Sequence, residues 1–448
     1  MEKGILMKFS LDEIIKITDA KLIYSTSKSG KFGISTDTRN ISPEQIYIPI
    51  KGENFDGHNF IEDAIKKSAR GFFIEEAEIE RLKTLPKAKI ALQVKNNREA
   101  YLALAGAYRQ KIAPIVVAIT GSSGKTTVKE MISVVLEKKY RVHKTKLNFN
   151  NEIGLAQTMF EMPKNTEVLV VEMGMRGLGE VELLSRYAKP DIAVITNIGL
   201  AHVGRLGSQS NIAKAKYEIA EHLHPEGVLV VCQNEFLEKC VKIKNKIIYS
   251  LEDKNLKNIK KTSEGVSFDY KKQNYSLKVF GDYNILNAIS AIEVGQKLGI
   301  STKIITEALS EYEPLSNRGS VLSFGDYTLL IDYYNANPES MKASIQAALE
   351  SYGEIALVLG DMGELGDREV FYHREIGRFL RDKKVKYLIT VGDLAKNIAK
   401  LSGIKNTKSF DNTKEAAEYL KAIKDNTPIL LKASRAMQFE NIVKELKG

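Results

Sequence analysis

Residues 115–128, Ile-Val-Val-Ala-Ile-Thr-Gly-Ser-Ser-Gly-Lys-Thr-Thr-Val, constrain this chain more than any other stretch. A β-branched run suited to a strand buried on both faces breaks into a glycine turn, and Val128, Met131, Ile132 and Val135 then recur at helical spacing. Strand, tight turn and helix follow in that order. Gly121 and Gly124 let backbone N–H groups turn toward an anion at the helix N-terminus, and Ser122, Ser123 and Thr127 are expected to bind the nucleotide with them. Lys125 is placed to reach β- and γ-phosphates and the Thr126 hydroxyl to ligate Mg²⁺, so the expected ligand is a nucleoside triphosphate. Ile119 stands where the full phosphate-loop pattern has its first glycine, which makes this a shortened relative. The competing reading is a glycine-rich connector with an incidental lysine.

With 448 residues the chain has room for roughly three domains. A hydrophobic fraction of 43% and a charged fraction of 27% are those of a soluble globular protein. No apolar run approaches a membrane span, and residues 1–8 lack the apolar stretch of a signal peptide, so a cytoplasmic protein without membrane insertion is expected. The two cysteines, Cys232 and Cys240, have neither disulfide-framework nor zinc spacing. The net charge of +10 is densest between residues 239 and 278, where no aromatics interleave as stacking platforms. That stretch reads as a lysine-rich solvated surface rather than a nucleic-acid groove.

Three segments differ in pattern: residues 1–110, 111–314 and 315–448. The first carries short alternating runs at 45–50 and 71–74 with helical stretches at 60–69 and 98–110, a small α/β domain. The second alternates strand candidates at 115–120, 168–172, 192–196 and 228–232 with helical patterns, the signature of a doubly wound parallel sheet. The third repeats the βα alternation at 328–331, 355–359, 387–391 and 429–431.

Ligands of open α/β sheets lie beyond the carboxyl ends of the strands, which directs attention to residues at strand ends. Glu172 ends one strand, and Asn197, Gly199 and His202 follow another. Glu172 reads as a carboxylate able to complete a Mg²⁺ shell or as a surface salt-bridge partner. His202 reads equally as a surface histidine or a functional one. Lys216, within Ala-Lys-Ala-Lys-Tyr-Glu, is on its own a charged helix face with Glu218 or Glu221 as ion-pair partners. Asn284 and Asn287 share a helix face and suit the edge of a base, although Asn284 is also a candidate helix cap. Arg318, Asp332 and the amides of residues 332–338 look like a closing lid.

Together these segments resemble the Mur ligase family, the ATP-dependent amide-forming enzymes of bacterial cell-wall precursor synthesis. The resemblance covers nearly the whole chain. It rests on Gly-Ser-Ser-Gly-Lys-Thr-Thr, Val-Glu-Met-Gly, Asn-Ile-Gly-Leu-Ala-His-Val-Gly, Tyr-Asn-Ile-Leu-Asn-Ala and Asn-Arg-Gly. Tyr-Asn-Ala-Asn-Pro-Glu-Ser-Met and Leu-Gly-Asp-Met-Gly-Glu-Leu-Gly look like the member that adds D-alanyl-D-alanine to UDP-N-acetylmuramoyl-tripeptide. Ser-Thr-Asp-Thr-Arg-Asn-Ile from Ser35, with residues 52–60, is similar to the UDP-sugar-binding domain of that member and of the preceding diamino-acid-adding one. The latter's Asp-Asn-Pro-Arg motif does not occur here.

The resemblance implies three α/β domains: a small UDP-sugar-binding domain, a central parallel-sheet ATPase domain and a C-terminal Rossmann-like domain. It implies an ATP- and Mg²⁺-dependent acid–amino-acid ligase, acting as a monomer, that passes through an acyl phosphate. Lys125, His202 and Lys216 would be catalytic. Thr126 and Glu172 would hold one Mg²⁺, and His202 with a carbamylated Lys216 a second. Asn287 would contact adenine, Arg318 and Asp332 would close over the nucleotide, and Ser35, Thr36, Asn148, Asn150, Asn151 and Asn335 would meet the substrates. Tyr283 departs from the histidine that many relatives carry there. A folylpolyglutamate-synthase-like ligase would share the phosphate loop but not the Ser-Thr-Asp-Thr-Arg opening. A nucleic-acid-stimulated NTPase and a non-catalytic nucleotide-binding protein are the other rivals.

Overall fold

In the computed structural model the strands form four sheets, three of them built largely on runs of Val, Ile and Leu. Residues 8–26, 29–52, 54–423 and 425–447 are described. The leader reading of residues 1–8 therefore lies outside them save for Lys8, as does Glu53 of the 52–60 motif. The described chain groups into two compact units. One comprises Met1–Ala118, Arg141–Met173 and Glu182–Pro190, and the other Ile119–Tyr140, Gly174–Val181 and Asp191–Gly448.

In the first unit, strands β1 (Phe9–Ser10), β2 (Lys21–Ser25), β3 (Lys31–Ser35), β4 (Gln45–Tyr47), β5 (Gly71–Glu75) and β6 (Ile90–Val94) order as β1-β3-β4-β5-β6-β2. The inner neighbours β3 to β6 are parallel, while β1 and β2 pair antiparallel at the edges. Tyr47, Ile61, Ala64, Phe72 and Ile74 pack one core beneath them. The helix Asn97–Ile112 is capped by Asn96, whose side chain accepts from the Glu99 N–H, and it packs beside the helix Glu152–Phe160.

The central sheet contains β7 (Ile115–Thr120), β8 (Val142–Lys144), β9 (Val168–Glu172), β10 (Ile192–Ile195), β11 (Val228–Cys232) and β12 (Lys246–Tyr249), in the order β12-β11-β10-β7-β9-β8. The β8/β9, β10/β11 and β11/β12 pairs are parallel, as the βα alternation predicts. The boundary between the units runs through β7 after Ala118.

The lysine-rich stretch is more than a solvated surface. It contains β13 (Leu256–Thr262), β14 (Gly265–Tyr270) and β15 (Gln273–Leu277), an antiparallel meander. Lysines 257 and 260 are exposed, whereas Val266, Phe268, Tyr270, Tyr275 and Leu277 alternate inward and are buried. Tyr270 donates to buried Glu293 at 2.8 Å and so pins the meander to the helix Tyr283–Lys297.

Strands β16 (Ser320–Phe324), β17 (Tyr327–Ile331), β18 (Ile355–Gly360), β19 (Val385–Val391), β20 (Thr407–Phe410) and β21 (Ile429–Lys432) order as β16-β17-β21-β18-β19-β20. This sheet is parallel except for the β16–β17 hairpin. Leu329, Ile331, Val358, Ile389 and Leu431 form the centre of its core. The carboxyl ends of β17, β21 and β18 lie side by side, the placement from which such sheets present ligand-binding residues.

Candidate active site

The phosphate loop is built as the sequence predicts. The strand Ile115–Thr120 ends in a turn with Gly121 at φ 151° and Gly124 at φ 78°, and the helix Lys125–Glu137 begins there with Gly124 at its cap. Both glycines are required. A Cβ on Gly121 would lie 1.9 Å from Thr196 Oγ1, and one on Gly124 would lie 2.8 Å from Asn287 Oδ1. Lys125 Nζ folds back to donate to the Gly121 carbonyl at 2.8 Å, and Thr126 is buried beside it. A helix N-terminus directly behind a glycine turn suits an anion.

The end of β10 supports the loop from one side. Thr196 Oγ1 donates to the Ser123 carbonyl at 2.6 Å, Asn197 Oδ1 accepts from the Ser123 N–H at 2.9 Å, and Ser122 Oγ accepts from the Gly199 N–H at 2.9 Å. The strand-end reading thus brings Asn197 and Gly199 to the loop. Asn287 also reaches the loop, at Gly124, and its amide donates to Asn284 Oδ1 at 2.9 Å. Asn284 is not a helix cap. Asp282 occupies that position, and Asn284 lies in the first turn with its amide donating to the Phe280 carbonyl at 2.9 Å.

His202 is neither a plain surface residue nor free. It sits at φ 67° with Nδ1 2.6 Å from Glu364 Oε2, and this partner holds the Glu364 carboxyl below its usual range despite burial. Lys216, on the helix Gln209–Tyr217, is 1% exposed rather than part of a charged face. No ion pair with Glu218 or Glu221 forms among the described residues. Burial, and then the Lys125 charge, push its ammonium well below the usual lysine range, with Glu364 opposing them. Burial thus favours the amine over the ammonium at this position.

The last sheet contributes a cluster at its strand ends. Ile331 and Leu431 are register partners, so Asp332 and Lys432 follow them as neighbours. Lys432, 1% exposed, donates to Asp332 Oδ2 at 2.6 Å and approaches the Asp332 and Asn335 carbonyls at 3.3 Å each. Ser344 Oγ adds a 2.6 Å bond to the same carboxylate oxygen. The Arg318 guanidinium stacks 3.6 Å over Tyr334. Asn335 is exposed, with its side chain accepting from the Ala336 N–H.

Three contacts that sequence reasoning missed join this sheet to the glycine turn after β7 and the loop after β10. Asn337 Nδ2 donates to Ser123 Oγ at 3.1 Å, Glu339 Oε2 accepts from the Leu200 N–H at 3.1 Å, and Glu364 meets His202 as described. The available signal was local: Asn-Pro-Glu-Ser reads as a helix cap followed by proline in the first turn, but nothing in it names a distant partner.

In the first unit, Glu172 is 2% exposed and so is not a surface salt-bridge residue. Its carboxylate accepts from Asn150 Nδ2 at 2.9 Å, and its N–H donates to Thr145 Oγ1. Asn151 caps the helix Glu152–Phe160 through the Gly154 N–H, and the Asn148 carbonyl accepts from the Asn150 N–H. Asn150 is thus bonded to Glu172, while Asn151 serves as the helix cap. Ser35 ends β3 with its hydroxyl turned to the Asp37 backbone, and Thr36 follows it. The 52–60 motif folds through Gly57, where a Cβ would lie 2.5 Å from the Ile50 nitrogen and the carbonyl accepts from Tyr47 OH.

Family comparison agrees with this geometry. The Mur ligase family catalytic domain matches residues 32–109, the Mur ligase middle domain 119–295, and the Mur ligase glutamate ligase domain 317–435. UDP-N-acetylmuramoyl-tripeptide--D-alanyl-D-alanine ligase of Bacillus subtilis is 39% identical over 431 residues, 92% of this chain and 93% of that protein. Crystal structure I of MurF from Acinetobacter baumannii superposes with a TM-score of 0.88 at 29% identity, covering 98% of this chain and 99% of the other. MurF ligase from Thermotoga maritima in complex with ADP gives 0.83 at 26% identity, covering 92% and 96%. The phosphate loop, the strand-end acid and the matches along the chain have one explanation: this protein belongs to the Mur ligase family.

Proposed function

We propose that this protein is the ATP-dependent ligase that joins D-alanyl-D-alanine to UDP-N-acetylmuramoyl-tripeptide in peptidoglycan precursor synthesis. The observation that carries the reading is the joining, within one unit, of the phosphate loop and the loop after β10 to residues 334–341 and 359–366. Those two segments carry the likeness to the D-alanyl-D-alanine-adding member. Residues 1–110, 111–314 and 315–448 are the proposed UDP-substrate, ATP-binding and C-terminal segments. A cytoplasmic monomer is part of the same proposal. Among the described residues no helix is long and apolar enough to cross a membrane.

The chemistry takes two steps. A terminal carboxylate oxygen of the tripeptide attacks the γ-phosphorus of ATP, and ADP leaves. The D-alanyl-D-alanine nitrogen then attacks the acyl carbon, forms the amide, loses a proton and expels inorganic phosphate. Positioning and charge neutralisation dominate the first step. Lys125, which donates to the Gly121 carbonyl, would swing to the β- and γ-phosphates. Arg318 and Asp332, anchored by Tyr334, Lys432 and Ser344, would close on the nucleotide. Asn287 would contact the base, while Ser35, Thr36, Asn148, Asn150, Asn151 and Asn335 would meet the other substrates.

The donor set suits Mg²⁺, which takes hard oxygen ligands. By the family resemblance, Thr126 and Glu172 would each supply an oxygen to one Mg²⁺. His202 and Lys216 would hold another once the neutral Lys216 amine adds CO₂, releasing a proton and gaining a carbamate oxygen. When bound, the metal would neutralise phosphate charge. Lys125→Ala tests the assignment: turnover should fall about 10²–10³-fold or more while UDP-tripeptide binding persists. Near-normal turnover would contradict the role given to Lys125.

A further inference from the structure

We infer that Asn337 is a positioning residue that ties the N-terminus of the helix Pro338–Tyr352 to Ser123, so that the phosphate loop and the strand-end turn 332–337 are held as one body. The inference rests on the ligase reading for its consequence, but not for its geometry.

The amide of Asn337 has both ends committed. Oδ1 accepts from the Ser340 N–H at 2.9 Å as the helix cap, which fixes the orientation of the group and aims Nδ2 at Ser123 Oγ, 3.1 Å away. The residue is 5% exposed, so the bond is sheltered from competing water. Ser123 is held at its other polar atoms too, its N–H by Asn197 and its carbonyl by Thr196 and Asn197. Glu339, two residues further on, makes a second tie through the Leu200 N–H. The same helix begins directly after the turn that carries Asp332, Tyr334 and Asn335. A nucleotide that orders the loop therefore also orders the turn proposed to meet the nucleotide and the acceptor.

Substitution can separate this from a capping role. Asn337→Ser retains a good cap but is too short to reach Ser123, and Ser123→Ala removes the same bond from the other side. Two readouts apply: ATP·Mg²⁺ affinity by calorimetry, which needs no ligase chemistry, and kcat/KM for ATP in amide formation. Each single variant should lose about fivefold to tenfold in both, the worth of one buried hydrogen bond. The unfolding midpoint without nucleotide should stay within about 2 °C of the parent. The double variant should be no worse than the weaker single, because both changes delete one interaction. Parental ATP affinity in Asn337→Ser, or losses that multiply in the double variant, would overturn the inference. A parent protein that binds ATP yet forms no amide would refute the ligase reading and leave the affinity cycle intact as a test of the tie.

Discussion

Gly204 and Gly366 meet backbone to backbone: a Cβ placed on Gly204 would lie 2.5 Å from the Gly366 nitrogen and 2.8 Å from its Cα. Beside them the Gly204 N–H donates to the Glu364 carbonyl at 3.3 Å, and His202 pairs with the Glu364 carboxylate. The loop after β10 and the turn after β18 are thus pressed together at a point where no side chain fits.

Gly204→Ala is expected to force these segments apart. The obstruction is backbone rather than a flexible side chain, so the cost should be about 1–3 kcal/mol. The variant should also lose ligase turnover, because His202 and Glu364 separate. Denaturant unfolding and steady-state kinetics check both. An alanine variant with parental stability and kcat would show that the contact yields without consequence.

His373 gives the same turn a pH dependence. Its ring is fully buried, with Nδ1 donating to the Glu369 carbonyl at 2.7 Å and Nε2 accepting from the Met362 N–H at 2.9 Å. Burial holds its pKa below the usual histidine value, so the unfolded chain binds the proton more readily. This contribution to stability is present above about pH 6.5 and is lost as the pH falls through the folded pKa. His373→Asn should be less stable near neutrality by about 1–3 kcal/mol, with a flatter decline on acidification. Unfolding free energies measured between about pH 8 and 5 test this. Parallel pH profiles for the two proteins would contradict it.

Lys216 is expected to carry a carbamate in the nucleotide-loaded enzyme. Lys216→Ala should lose about 10²–10³ in turnover, and short carboxylic acids should restore part of it by supplying the missing oxygens. Carbon-13 NMR with labelled bicarbonate should show a carbamate in the parent that is absent from the variant. An alanine variant of normal activity, together with no carbamate signal in the parent, would rule the modification out.

What was legible in the sequence, and what was not, follows from where each interaction is encoded. The loop at 121–127 was readable because strand, glycine turn and helix are all local, and the βα strands because a buried parallel sheet demands continuous β-branched runs. The meander at 256–277 was missed even though Val266, Phe268 and Tyr270 alternate, because lysines on the outer face dominate its composition. The burial of Lys216 was not read from its segment, because Lys214, Glu218 and Glu221 suggest a charged face, although Ile212, Ala213, Ile219 and Ala220, three and four positions away, are buried with it. Asn337, Glu339 and Glu364 find partners more than a hundred residues away, and helix-cap chemistry alone does not reveal such partners.

The central claim, that this chain couples ATP cleavage to amide formation, is met most directly by measuring phosphate release and UDP-linked product in one reaction. With ATP, Mg²⁺, UDP-N-acetylmuramoyl-tripeptide and D-alanyl-D-alanine, the account predicts one phosphate per amide formed. Omitting either substrate should leave no sustained release, and neither nucleic acid nor a folate should replace them. Phosphate release stimulated by DNA or RNA, with no amide product from the tripeptide and dipeptide together, would contradict it.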